Sequence, residues 1–239
     1  MVARRTPLAV SLCTLLLLAL LPAAAAEAWP HAFGPVAGNP ANKLLAVPIE
    51  DSVYDPATRC TKRERPGTEA LIAWLEEHAE GESWGSYRCE RWGRHSASLH
   101  AENRAVDWHL DASRPADRRE ADRLIALLLA PDRAGNAQAL ARRMGVEEII
   151  WNCGYWGAGM DGPRRYSACL DRRGRISRRV DPTTAHRDHV HLGLTKAGAA
   201  AKTSFWQLHQ AKTRNFDHVH YHREVSGVRP LLRRDVRWV

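Results

Sequence analysis

The sequence predicts an α+β fold, a small antiparallel β-sheet with flanking helices. Two observations lead there. Several segments carry apolar residues at helical spacing, while others alternate apolar and polar residues with period two. Their order, helix, strand, two helices, strand, strand, suits helices packed on such a sheet. With 239 residues the chain has material for one domain of ordinary size plus extensions.

Residues 1–28 read as a secretory signal peptide. "MVARR" is a positive start, "LAVSLCTLLLLALL" an apolar run too short to span a bilayer comfortably, and "PAAAAEA" offers small-residue cleavage sites near Ala26 or Ala28. Cys13 lies inside the apolar run, away from any cleavage point, so no lipoprotein is expected. No later segment is apolar enough to cross a membrane. The expected product is therefore secreted, with cell-wall association open and no membrane contact after signal cleavage.

Residues 29–53 form a lead-in. From Trp29 to Asn42 it is rich in Pro, Gly and Ala without a period and reads as loose; "KLLAVPIEDSVYDPATRC" reads as an extended segment along the domain surface. The domain proper is expected over 54–206. "PGTEALIAWLEEHAEG" is its first helix, with Thr68 as N-cap, Leu71, Trp74 and Leu75 on one face, and Gly81 as a stop. His78, in the last turn, complements the helix dipole. "SWGSYRCERWGRHSASLHAEN" is strand and loop.

"RAVDWHL" is a strand with Val106, Trp108 and Leu110 on one face and Ala105, Asp107 and His109 on the other. "RPADRREADRLIALLLAP" is a helix with an acidic start and a proline stop, and "NAQALARRMG" a helix closed by Gly145. "VEEIIWNC" is a buried strand. Gly154 to Thr184 reads as a long surface loop or hairpin. "DHVHLGL" is an alternating strand, with His189 and His191 on one face and Val190, Leu192 and Leu194 on the other. The tail, 207–239, is basic and holds a second "DHVH" at 217–220, whose flanks do not match the first.

Beyond the signal the chain keeps four cysteines, Cys60, Cys89, Cys153 and Cys169. In an exported chain without a C-x-x-C pair this favours two disulfides. Neighbour pairing, Cys60 with Cys89 and Cys153 with Cys169, is expected among the three connectivities four cysteines allow. The formal charge is +8, and losing Arg4, Arg5 and Glu27 with the signal takes it to +7. Such a protein is drawn to anionic polymers, including those of a cell wall. The arginines are scattered, with no basic helix or aromatic platform, so nucleic acid is not the expected partner.

The histidines of "HRDHVHLGL" ask for an explanation. His189 and His191 share a strand face; "SLHAENRAVD" supplies His100 in a loop and Asp107 on another polar strand face. Two imidazoles and one carboxylate suit one Zn2+ per chain, with a fourth position left open as in a catalytic centre. On this reading the zinc site lies on the sheet face.

Ser98, His100, Ala105 and Asp107 stand in the spacing S-x-H-x(4)-A-x-D, followed late by H-x-H. This resembles the zinc metallopeptidases grouped with lysostaphin, D-alanyl-D-alanine carboxypeptidases and the hedgehog signalling domain. The spacing of His186, His189 and His191 is most similar to the penicillin-insensitive murein endopeptidases of that group. "YDPATRC", "EIIWN" and "HRDHVH" also resemble secreted actinobacterial domains. The resemblance spans about residues 54 to 206 and is specific only in its two motif blocks.

It implies His100, Asp107 and His191 as zinc ligands and His189 as the residue that orients or deprotonates water and stabilises the oxyanion. His186 becomes a secondary catalytic-site residue. Asp188 stands where some relatives place a glutamate base, one methylene shorter, and is a second candidate or an orienting residue. Ser98 would support by hydrogen bonding. Asn103 replaces a glycine of many relatives, and asparagine tolerates the left-handed backbone conformation.

Arg94 and Arg104 are candidates for meeting a substrate carboxylate, with Arg104 also a support residue. His109 is a candidate cleft residue and Trp156 a candidate substrate wall, while Trp151 is expected in the core. The implied function is hydrolysis of an amide bond in peptidoglycan stem or cross-link peptides. The alternatives are a non-catalytic wall-binding module that keeps the metal fold, and a metal-dependent nuclease or phosphoesterase.

Overall fold

The structure, a computed structural model, describes residues 29–30 and 32–209. The signal segment and the second "DHVH" of the tail lie outside the described residues. The fold is α+β, as the sequence predicts: among the described residues it has a six-stranded sheet in which every pairing is antiparallel, a two-stranded hairpin and four bounded α-helices, with residues 204–209 also helical.

In chain order the elements are α1 (Pro66–His78), β1 (Glu82–Gly85), β2 (Arg91–Gly93), β3 (Ser96–Ala97), β4 (Ala105–His109), α2 (Pro115–Leu129), α3 (Ala139–Met144), β5 (Val146–Trp151), β6 (Gly154–Gly157), β7 (Arg164–Arg165), β8 (His189–Leu194) and α4 (Lys196–Ala199). The large sheet runs β1-β4-β8-β5-β6-β7, and β2 pairs with β3 in the hairpin. The last strand in sequence is thus a central strand. All six residues of β8 are buried, because β4 and β5 flank it and both sheet faces are covered.

Period-two alternation sorts the sheet into two faces. Val106 opposes Leu192, and Leu192 opposes Ile149, which in turn opposes Trp156. These side chains join the main apolar core with Leu71, Trp74 and Leu75 of α1 and Ala121, Leu124, Ile125, Leu128 and Leu129 of α2. The α2 spacing is a continuous helical stripe. Both long helices begin with proline, whose fixed φ and missing N–H suit the first helical position. Pro131 biases Ala130 out of the helical region, and α2 ends at Leu129.

Several expectations need correction. Thr68 is not the N-cap of α1: the helix starts two residues earlier, and Thr68 Oγ1 donates to Asn103 O at 2.9 Å. The lead-in is not loose. Trp29, Ala41 and Leu44 are buried in the main core, and Trp29 Nε1 donates to Trp151 O at 3.2 Å. Gly154 makes room for that indole, since a Cβ there would lie 2.4 Å from Trp29 Nε1. The Gly154–Thr184 stretch, expected as a loop or hairpin, does open as the antiparallel hairpin of β6 and β7 and continues mostly as loop. His78 does act at its helix end, its Nδ1 lying 2.8 Å from Trp74 O.

Both expected disulfides form, Cys60–Cys89 and Cys153–Cys169. Among the described residues no helix is long and apolar enough to cross a membrane.

Candidate metal centre

The second face of the sheet is polar, and it brings distant histidines together. Asp107 sits directly opposite His191 across β4–β8, and His109 opposite His189. His100 arrives from a short 3-10 helix, Leu99–Glu102, laid over this face. Ser98 caps that helix by accepting from His100 N, and Asn103 ends it in the left-handed conformation at φ 55°, as the sequence suggested it could. The helix approaches closely because β8 carries Gly193: a Cβ there would lie 2.3 Å from Leu99 Cδ1 and 3.1 Å from Glu148 Cβ.

Three donor atoms converge. His100 Nε2 lies 3.0 Å from Asp107 Oδ1 and 3.0 Å from His191 Nδ1, and the last two are 3.2 Å apart. All three residues are buried. This buried His-Asp-His group could hold a metal ion. Donors bound at about 2.0–2.2 Å around a tetrahedral ion are roughly 3.3 Å apart, close to the spacing here.

The remaining atoms of the triad are fixed from behind. His100 Nδ1–H donates to Ser86 O at 2.9 Å, which leaves Nε2 as the donor atom toward the centre. His191 Nε2 lies 3.2 Å from Glu148 Oε1. Asp107 Oδ2 accepts from Arg88 Nη1 at 2.7 Å. Outer partners of this kind set the tautomer and orientation of metal ligands.

The electrostatics follow from burial opposed by close partners. Burial opposes ionisation of Asp107, yet hydrogen bonds from His100 and His191 hold its carboxyl far below the usual carboxylate range. Burial likewise disfavours a charged His191, but Asp107 and Glu148 outweigh it and push the ring up to about 9. Burial lowers His100. The site therefore favours positive charge between two carboxylates, which is what a cation would supply.

His189 stands beside the triad with its Nε2 3.5 Å from Asp107 Oδ1 and its Nδ1 2.7 Å from Asp188 Oδ1. Asp188 also accepts from Thr183 Oγ1 at 2.6 Å. Asp188 thus orients His189 and does not itself reach the triad. His186, in the left-handed conformation at φ 50°, places its ring 4.6 Å from His189 and 5.8 Å from His191. Burial, with His191 and His189 nearby, lowers its pKa to about 3. His109 lines the same face, stacked under Trp84.

Other candidates are placed elsewhere. Trp156 is fully buried on the core face and cannot be a substrate wall. Trp151 is in the core as expected. Arg104 is fully buried and spent on Glu102, Glu147, Leu194 O and Asp55 O, so it supports the fold and cannot meet a substrate carboxylate. Arg94 is exposed between β2 and β3, and its backbone carbonyl accepts from Arg91.

Sequence reasoning missed Glu148, Arg88, Ser86 and Trp84. Glu148 was legible in principle, as a polar residue two positions from Ile150, which opposes His191. Arg88 and Ser86 act from irregular backbone beside Cys89 and carry no periodic signal.

A family profile described as "VldE, C-terminal domain" matches residues 59–181, just over half of the chain. The chain belongs to this family. The VldE C-terminal-domain match takes in all four disulfide cysteines, His100 and Asp107, and ends before β8, which supplies His189 and His191. No curated protein and no solved structure matches the chain.

Proposed function

We propose that this protein is a secreted, zinc-dependent hydrolase that cleaves an amide bond in peptidoglycan stem or cross-link peptides. The observation that carries the reading is the pairing of a buried His100–Asp107–His191 donor triad with an oriented histidine, His189, whose Nε2 faces it. Two nitrogens and one carboxylate oxygen match zinc's preference and leave an open position. The two disulfides agree with an oxidising, extracellular setting. The substrate class rests on the motif resemblance, and the basic charge agrees with an anionic wall.

Zinc held there would supply Lewis acidity, making water a nucleophile near neutral pH and polarising the scissile carbonyl. His189 would serve as the base at Nε2, since its Nδ1–H is committed to Asp188. The imidazolium so formed would be stabilised by Asp188 and would be the group that donates to an oxyanion and to the leaving amine. Arg88 holds Asp107 in place, and the Glu148 carboxylate stands 3.2 Å from His191 Nε2.

The test is cleavage of purified muropeptides by zinc-loaded protein, followed by mass spectrometry of the products, with His189→Ala as the paired variant. Cleavage lost in His189→Ala with zinc retained supports the enzyme. Wall binding by both proteins without any cleavage would replace it with a binding module.

A further inference from the structure

Trp84 leaves half of its surface in water: it is 50 % exposed. It belongs to none of the apolar clusters of the fold. Yet its ring is held. The indole lies on the His109 imidazole with centroids 4.1 Å apart and 13° between planes, and its centroid is 6.2 Å from that of His189. His109 is fixed in turn, with Nδ1 2.8 Å from Asp188 O and its backbone opposite His189. One indole face is therefore covered by protein and the other is free, beside the histidine that faces the donor triad.

A second observation concerns the backbone. β1 ends the six-stranded sheet and pairs with β4 alone, so among the described residues its outer edge has no strand partner. An unpaired strand edge can take up an extended peptide through main-chain hydrogen bonds, with alternate side chains directed to a surface beside it. A sugar ring on the indole would need hydroxyl partners around it. Ser83, the hydroxyl next in sequence, stands opposite the core residue Trp108 and not opposite His109, and its Oγ accepts from Gly85 N at 3.2 Å.

We propose that Trp84 is a substrate-positioning residue: the peptide substrate runs extended along β1 and packs an alanine-sized or aliphatic side chain, on the His189 side of the scissile bond, against the free indole face. This rests on the hydrolase reading above. It assigns Trp84 to substrate recognition and leaves metal retention and proton transfer to the triad and His189.

The experiment measures kcat and KM on a synthetic, sugar-free stem pentapeptide, its cross-linked dimer and the corresponding sugar-bearing muropeptides, for wild type, Trp84→Ala and Trp84→Phe. Zinc content and Tm are recorded for each. The expected result is a KM about tenfold higher in Trp84→Ala with kcat nearly unchanged, most of it recovered in Trp84→Phe. An unchanged KM overturns the role of Trp84 while the hydrolase reading stands. A KM rise confined to sugar-bearing muropeptides overturns the peptide assignment. Loss of zinc or Tm in Trp84→Ala that accounts for the defect makes Trp84 structural and overturns the proposal. Wild-type protein that cleaves neither peptides nor muropeptides overturns both readings.

Discussion

Asp188 Oδ1 accepts from His189 Nδ1 at 2.7 Å, and this bond leaves the other ring nitrogen facing Asp107 Oδ1 at 3.5 Å. A histidine held this way has a fixed tautomer and a nitrogen free to handle a proton. His189→Ala is expected to lower kcat by about a hundredfold or more with metal content unchanged. Asp188→Ala should give a smaller loss, since the ring remains but is no longer aimed. Steady-state kinetics with metal analysis checks both, and full activity in His189→Ala would remove this residue from the mechanism.

The Cys60–Cys89 disulfide tethers the wall behind the triad. Thr61 N donates to Ala101 O at 2.6 Å, Arg88 N to His100 O at 3.3 Å, and Ser86 O accepts from His100. Replacing both cysteines with serine should cost about 2–4 kcal/mol of stability. Metal affinity should fall as well, because Ser86 and Arg88 lose their anchor. Denaturant unfolding and competitive metal titration measure the two effects. A loss of stability with unchanged affinity would show that the wall holds without the bridge.

Gly193→Ala is expected to weaken the centre from the opposite side. The added Cβ meets Leu99, which is itself packed against Ala57, Ala97 and Ala101, and the backbone carrying His100 must give way. Overpacking of this kind costs about 1–3 kcal/mol. The expected signature is a lower urea midpoint together with weaker metal binding; wild-type values for both would mean that Leu99 relocates freely.

Burial pushes Glu147 up to about 7, against the pull of Arg104 at 2.8 Å. Its ordinary value is 4.5, so between about 4.5 and 7 the folded chain holds a proton that the unfolded chain has lost. This group's contribution to stability is therefore greatest below about 4.5 and declines as pH rises through about 7. Glu147→Gln should remove that decline. Unfolding free energies of the two proteins between pH 5 and 8 check the sign, and parallel curves would place the titration elsewhere.

The face carrying the candidate metal site was legible because two strands alternate with period two. Once "RAVDWHL" and "DHVHLGL" were strands, Asp107, His189 and His191 had to share their polar faces, and the register then set Asp107 opposite His191. His100 was legible from its spacing to Asp107. Trp156 misled because its glycine-rich neighbourhood looked like loop, whereas Gly154–Gly157 is a strand whose pairing with β5 turns the indole into the core. Arg104 carried two readings, a support residue and a partner for a substrate carboxylate, because sequence counts a charge but not the two carboxylates and two carbonyls that absorb it. The central position of β8 depended on long-range pairing with β4 and β5, which local pattern does not encode.

The central claim is that His100, Asp107 and His191 form a zinc centre. The direct measurement is metal content of the purified mature protein by inductively coupled plasma mass spectrometry, with His100→Ala and His191→Ala alongside. The account predicts about one zinc per chain in the wild type and its loss in both variants. A folded wild-type protein that takes up no zinc on reconstitution, or variants that bind it as well as the wild type, would contradict it.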